Sequence, residues 1–340
     1  MSVSACDALR ERVAAELGRP APPAARALAD AIAARHGDAV DAVVFYGSCL
    51  RKSTHEGVLD FYVLVDDLGR VYRDEPPLRR AWWTLTNHLL PPNVFYLEAE
   101  STLEPGAAPT RVRCKYALMS SADFERMVGP RALHPYVWAR FAQPALTVRA
   151  RDDAARRHVA HCAALAAQTL VRRIAPLLPV QGGPFGSVQR FSLAALWQEA
   201  FRRTYRTELR GESTTTIRSH YLADPARYDE VGRLALAVLR EEGWIEEFVS
   251  FGAAAEVTQR PGRRIAGRLR WGLAWPVAKT LAVLRLLKTA TTFGDWLPYV
   301  LWKIERHSGV QPELSERQRR HPLIFGWPVI WRLLRGRTLR

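Results

Sequence analysis

Apolar positions follow two different rhythms along this chain, and the change between them falls near residue 150. Residues 1 to about 37 read as helix, rich in Ala and Arg, with a break at Pro22 and Pro23. Residues 43–65, VVFYGSCLRKSTHEGVLDFYVLV, then read as strand, turn and strand. Asp66, Asp67 and Gly69 signal a turn, and residues 78–90 have helical apolar spacing ended by Pro91-Pro92. NVFYLEAE predicts a third strand and RVRCKYALMS a fourth, separated by a Gly/Pro loop. SADFERMV starts with a serine cap and first-turn acids, so it opens a helix. Beyond Arg151 the strand pattern largely stops. Helices are expected over 152–178, 191–210 and 228–248, separated by the breaker PVQGGPFGS and by ELRGESTTTIRSHYLADPARYDEV, a polar loop and helix start. The pattern predicts an α/β domain over 1–150, a helical domain over 151–256 and an appended segment over 257–340, without internal repeats.

A chain of 340 residues with 48% hydrophobic composition can fill two ordinary cores. Its four cysteines, Cys6, Cys49, Cys114 and Cys162, are far apart, which indicates neither a zinc site nor a disulfide framework and fits a reducing compartment. The N-terminal stretch carries acids and no apolar run, so it reads as an amphipathic helix and not a secretory signal.

Charge changes the picture most at the C-terminal end. Residues 260–340 hold 17 Lys and Arg against four acids, most of the net +15, together with six of the eleven tryptophans. Tryptophan and leucine interleaved with cations suit an anionic membrane surface, where indoles settle at headgroup level and cations meet phosphates. Lys279, Arg285 and Lys288 interrupt the longest apolar run, so the expectation is peripheral binding without a span. The apolar content makes nucleic acid the less favoured partner. High Ala and Arg usage suggests a bacterial, GC-rich source, and hence the cytoplasmic face of the inner membrane.

The candidate chemistry lies in residues 43–65. Gly47 would let backbone approach a triphosphate, with Ser48 and neighbouring amides donating to its oxygens. Asp60 stands in an otherwise apolar strand, VLDFYVLV, where an unpaired carboxylate is costly and usually finds a cation. A second acid on the same strand face would sit at position 62, which is Tyr62. Asp66 lies about 20 Å farther along an extended strand, too far to share an ion. Lys115, on an apolar strand, is either a phosphate ligand or an edge-strand lysine reaching solvent. His134, His158, His161, His220 and His307 form no ligand-spaced group and read as packing or surface residues, with no carboxylate expected near His158 and His161.

Taken in order, FYGSCLRKS, LDFYVLVDD, NVFYLE, CKYALMSSADFERMV, YVWARFAQPALTV and TYRTELRGES resemble stretches of the mitochondrial-type phosphatidate cytidylyltransferases, the translocator-assembly-and-maintenance family of the nucleotidyltransferase superfamily. The resemblance spans residues 43–229. Gln143 replaces a basic residue of that pattern, Ala117 a glycine, and no His-Tyr-Ser stretch occurs between Asp67 and Asn93. It implies a DNA polymerase beta-like nucleotidyltransferase domain, a mixed sheet with helices, followed by a helical domain. The implied reaction transfers CMP from CTP to phosphatidate with Mg²⁺, giving CDP-diacylglycerol and pyrophosphate. The implied site has Asp60 and Lys115 as catalytic residues, with Tyr46, Gly47, Ser48, Lys52 and Lys115 on the nucleotide. Arg140, Arg210 and Glu212 would meet the acceptor phosphate, and Asp60 with Glu98 (Glu100 being the alternative) would hold the metal. Two other readings stand beside it: transfer to another phosphate-bearing acceptor, and a catalytically silent nucleotidyltransferase fold that binds membrane or nucleic acid.

Overall fold

The computed structural model describes residues 4–104, 106–181, 186–208 and 214–292. The protein is α/β, built on a mixed five-stranded sheet with helices on both faces. Its strands are β1 (Val40–Tyr46), β2 (Val58–Val65), β3 (Asn93–Ser101), β4 (Thr110–Ser120) and β5 (Ala145–Ala150), in the order β3-β4-β2-β1-β5. β1 runs antiparallel to both β2 and β5, β3 antiparallel to β4, and β2 parallel to β4.

Period-two alternation sends odd and even positions of each strand to different layers. Val43, Phe45, Phe61, Val63, Tyr116 and Leu118 pack under α2 (Pro23–His36) and Trp83 of α5 (Pro77–Leu89). Between β1 and β2 lies the short α3 (Ser48–Arg51), and α4 (Leu68–Val71) follows β2. Val44, Tyr62, Leu64 and Met119 face the other way, onto α6 (Ser121–Val128), α7 (Trp138–Phe141) and α8 (Asp153–Ile174). α6 begins with a serine cap one residue earlier than SADFERMV suggested: the Ser120 hydroxyl accepts from the Asp123 amide, and Ser121 is the first helical residue.

That second core continues without a break into α9 (Leu193–Thr207) and α11 (Pro225–Glu241), so the two expected domains share one interior. α1 (Ala5–Leu17) packs with this helical layer. Its Glu16 pairs with Arg227 of α11 at 2.8 Å, the two side chains being 3% and 2% exposed. α10 (Thr214–Leu222) lies between α9 and α11.

Two expectations are corrected. Strands do recur after residue 151: β6 (Val188–Ser192), β7 (Glu247–Phe251) and β8 (Ala254–Thr258) form an antiparallel sheet in the order β6-β8-β7. Each has five residues, too few for a period to declare itself, and this shortens the helices expected over 191–210 and 228–248. Nor is the basic segment a mere appendage from residue 257. Residues 261–292 form α12 (Pro261–Thr292), whose Trp271, Ala274 and Ala278 are buried and whose Gly267 lies so close to Pro176 that a Cβ would clash. No helix among the described residues is long and apolar enough to cross a membrane. The expected segment from 293 to 340, with Trp296, Trp302, Trp327 and Trp331, lies outside the described residues.

Candidate active site

Strand register builds the centre of the site. Pairing of β1 with β2 sets Tyr46 opposite Asp60, and parallel pairing of β2 with β4 sets Lys115 beside Asp60. Lys115 Nζ lies 3.0 Å from Asp60 Oδ1, with the side chains 32% and 16% exposed. Because β4 is flanked by β2 and β3, Lys115 is not an edge-strand lysine reaching for solvent. Its charge is held over the sheet by the one carboxylate of β2. Asp60 Oδ1 is otherwise buried without a hydrogen bond of ordinary geometry, an arrangement suited to a cation.

Gly47 follows directly from β1 with φ 95° and ψ −160°, a conformation open essentially to glycine alone. A Cβ there would lie 2.7 Å from Asp60 Oδ2. The glycine therefore serves two ends: it turns the chain into α3, and it leaves room for the aspartate. Ser48 begins α3 and presents its side chain at the surface.

These residues line a cleft of about 440 Å³ between the sheet and the helical layer. Tyr46, Gly47, Ser48, Lys52, Asp60, Lys115 and Arg140 all border it, so the structure gathers seven of the residues singled out from sequence. Arg140 enters from α7, held by Glu208 at 2.6 Å, by the Tyr136 carbonyl and by the Tyr136 ring 4.2 Å away. Four cations, Arg51, Lys52, Lys115 and Arg140, face two carboxylates, Asp60 and Glu208. The balance favours a polyanion.

Glu98 is not brought to this group. It accepts from Arg113 Nε at 3.1 Å and from the Tyr96 hydroxyl at 2.7 Å, and pairs with Arg111 at 3.5 Å. Its register partner is Arg113, two residues from Lys115, and β4 stands between β3 and β2. That puts its backbone roughly 12 Å from Asp60 by strand spacing and rise. Glu100 lies farther along, opposite Arg111. Arg210 and Glu212 lie outside the described residues. Tyr62 is buried among Tyr46, Phe124 and Phe141, and so fills the second-acid position with core.

Arg51, Gln143, Glu208 and His220 also line the cleft, none of them assigned a role there from sequence. Gln143 accepts from Arg51 Nη1 at 3.3 Å and donates to the Ala139 carbonyl at 2.9 Å, so it tethers a cation at the cleft. Glu208 lies in TYRTELRGES, two residues before the Arg-Gly-Glu whose Arg210 and Glu212 were the expected phosphate contacts. His220, expected as packing or surface, is buried on the cleft wall 3.3 Å from the Tyr205 hydroxyl. Burial, then the Arg51 charge, lowers its pKa to about 4, so it is a neutral ring at pH 7. Burial raises the Tyr46 and Tyr62 hydroxyls well above their ordinary range, Asp60 adding to the effect at Tyr46, so neither is a base.

His158 and His161, expected without a carboxylate, each lie 4.0 Å from Glu125. Among the described residues no three His, Cys, Asp or Glu side chains form a metal-ligating group. Compared with models of known families and with curated proteins, the chain matches none.

Proposed function

We propose that this chain is a nucleotidyltransferase that moves CMP from CTP to phosphatidate, releasing pyrophosphate. The observation that carries the reading is the convergence of Gly47, Ser48, Asp60 and Lys115 on a cation-lined cleft with Arg51, Lys52 and Arg140. Choice of cytosine and of a lipid acceptor rests on the sequence resemblance.

The residues fit a Mg²⁺ held in part by substrate. Asp60 offers a buried carboxylate oxygen, and such ions are commonly held by one or two carboxylates plus phosphate oxygens. When bound, Mg²⁺ supplies neutralisation of the triphosphate and of the departing pyrophosphate. Glu208, tied to Arg140, is the other acid on the cleft; Glu98 is too remote to take part.

The chain's own groups do the rest by position. The amides around Gly47 and the Ser48 hydroxyl donate to phosphate oxygens. Lys115, Arg51 and Lys52 offset charge on the β- and γ-phosphates. Arg140, fixed by Glu208 and Tyr136, orients the acceptor phosphate, for which its planar fork is suited. An acceptor oxygen attacks the α-phosphorus as the bond to pyrophosphate breaks. A phosphate monoester is already ionised at pH 7, so no protein base is required, which agrees with the neutral His220 and the high-pKa tyrosines.

A second reading, a catalytically silent nucleotidyltransferase fold that binds membrane or nucleic acid, is favoured by Tyr62 in the second-acid position. Pyrophosphate release separates them. Wild type with CTP and Mg²⁺ should turn over only with phosphatidate in mixed micelles, and should stop on chelation or in Asp60→Asn. Absence of turnover with CTP, ATP, GTP and UTP would overturn the enzymatic reading. Turnover with a soluble phosphate acceptor and no lipid requirement would overturn the lipid acceptor alone.

A further inference from the structure

Two helices of this protein turn apolar stripes outward while burying polar side chains. α5 buries Thr86 and Asn87 beside Trp83, while Leu78, Trp82, Leu85 and Leu89 form an outward stripe at helical spacing, Leu78 being 88% and Leu89 74% exposed. Its polar face is fastened inward: Asn87 Nδ2 donates to the Tyr72 hydroxyl at 3.1 Å and the Leu118 carbonyl at 3.0 Å. α12 also carries an outward stripe, over a greater length. It buries Arg264, Arg285 and Lys288 together with Trp271, Ala274 and Ala278, and turns out Ile265, Leu269, Leu273, Val277, Leu284 and Leu287.

α12 is tied to the turn that follows α5. Lys288 Nζ donates to the carbonyls of Leu90 and Pro92, at 2.5 and 2.6 Å, and Arg285 Nε donates to that of Pro91 at 3.2 Å. Arg285 also lies over the Tyr136 ring at 4.1 Å. This clasp binds the C-terminal half of α12 to the residues just past α5, beside edge strand β3. Each helix buries polar groups alongside apolar ones and leaves a row of leucines on its outer side. Such a pair of apolar stripes is large for a surface facing water.

Charge identifies the partner. Residues 261–292 contain seven Lys and Arg and no acid, and residues 77–89 contain two Arg and no acid. Arg79, Arg80, Arg263, Arg268 and Arg270 are exposed, flanking the stripes, and Trp82 and Trp275 are each 45% exposed. Apolar ridges rimmed by cations and indoles match the boundary between acyl chains and anionic headgroups.

We propose that α5 and α12 together form one membrane-docking face, so that the α/β sheet itself, and not only the C-terminal segment, lies against an anionic bilayer. Contact through two helices clasped at β3 fixes the orientation of the cleft relative to the bilayer; contact through a tail alone would not. The proposal concerns binding only and stands whether or not the chain catalyses nucleotidyl transfer.

The test is co-sedimentation of the full chain with phosphatidylcholine vesicles, with and without phosphatidylglycerol. Wild type should bind the mixed vesicles and release them in high salt. Leu85→Gln with Leu89→Gln on α5, and separately Leu269→Gln with Leu273→Gln on α12, should each weaken binding at least about tenfold. Thermal midpoints should stay level or rise, because these side chains are exposed. Trp82→Phe should remove part of the fluorescence quenching produced by brominated lipid. Wild-type binding by the α5 pair would overturn the role of α5. A lower midpoint in either pair, or a smaller particle size than wild type, would show the stripes covered by residues 293–340 or by a second copy, and would overturn the proposal as well.

Discussion

Replacing Gly47 by alanine tests the site where backbone and side-chain chemistry meet. Two separable costs follow. The backbone, at φ 95° and ψ −160°, lies where L-residues are strained by about 1–3 kcal/mol. The new methyl would also stand 2.7 Å from Asp60 Oδ2 and 3.2 Å from Asp60 Cβ, so the aspartate must move. Overpacking of this sort adds roughly 1–3 kcal/mol. Gly37 is the matched control: its φ is 62° and ψ −144°, with nothing within 4 Å of the position a Cβ would take. Gly37→Ala should therefore lose stability through strain alone, and Gly47→Ala should lose more. Urea denaturation midpoints of the two variants give the comparison directly. Asp60→Ala removes the carboxylate from the collision, so the double variant Gly47→Ala/Asp60→Ala should recover at least about 1 kcal/mol relative to the sum of the singles. Pyrophosphate release should collapse in Gly47→Ala and persist in Gly37→Ala. Equal midpoints for the two glycine variants, with no coupling to Asp60, would refute the view that Gly47 is required by the aspartate.

Other outcomes follow from the same geometry. Asp60→Asn and Lys115→Met should each cut turnover at least about 10²-fold with unchanged far-UV circular dichroism, measured by pyrophosphate release. Glu16→Ala leaves Arg227 charged and buried and should cost about 3–5 kcal/mol in urea, whereas Glu16→Leu with Arg227→Leu should recover much of it. His220 titrates near 4 when folded and near 6.5 when unfolded, so the unfolded chain takes the proton first. The associated stability is complete above pH 6.5 and is lost as pH falls toward 4, by at most about 3 kcal/mol. His220→Phe should flatten that part of the stability profile, and a slope as steep as wild type would contradict the assignment.

The local grammar of the chain was largely readable. The apolar runs VVFY and VLDFYVLV marked β1 and β2, SADFERMV marked α6 to within one residue, and Pro91-Pro92 marked the end of α5. Asp60 stood out because a carboxylate breaks an apolar strand. Gly47 stood out because a glycine between strand and turn points to special backbone. These are short-range signals, set by a residue and its near neighbours.

The short strands β6, β7 and β8 escaped because their pairing, and not their five-residue patterns, makes them strands. Glu98 looked like a partner for Asp60 until register placed it opposite Arg113. Glu208 and His220 belong to the cleft only because α9 and α10 pack across from β2. The outward apolar stripes of α5 and α12 are of the same kind: their leucine spacing announces amphipathic helices but says nothing of which face turns inward. By itself, then, the sequence determined the longer helices up to residue 248 and the strands β1 to β4, the Gly47 turn and the aspartate in an apolar strand, because dihedral preference, periodicity and desolvation act locally. Only the tertiary structure decided that Lys115 stands 3.0 Å from Asp60, that Glu98 does not, and that leucines face out, because register and packing depend on contacts between residues dozens of positions apart.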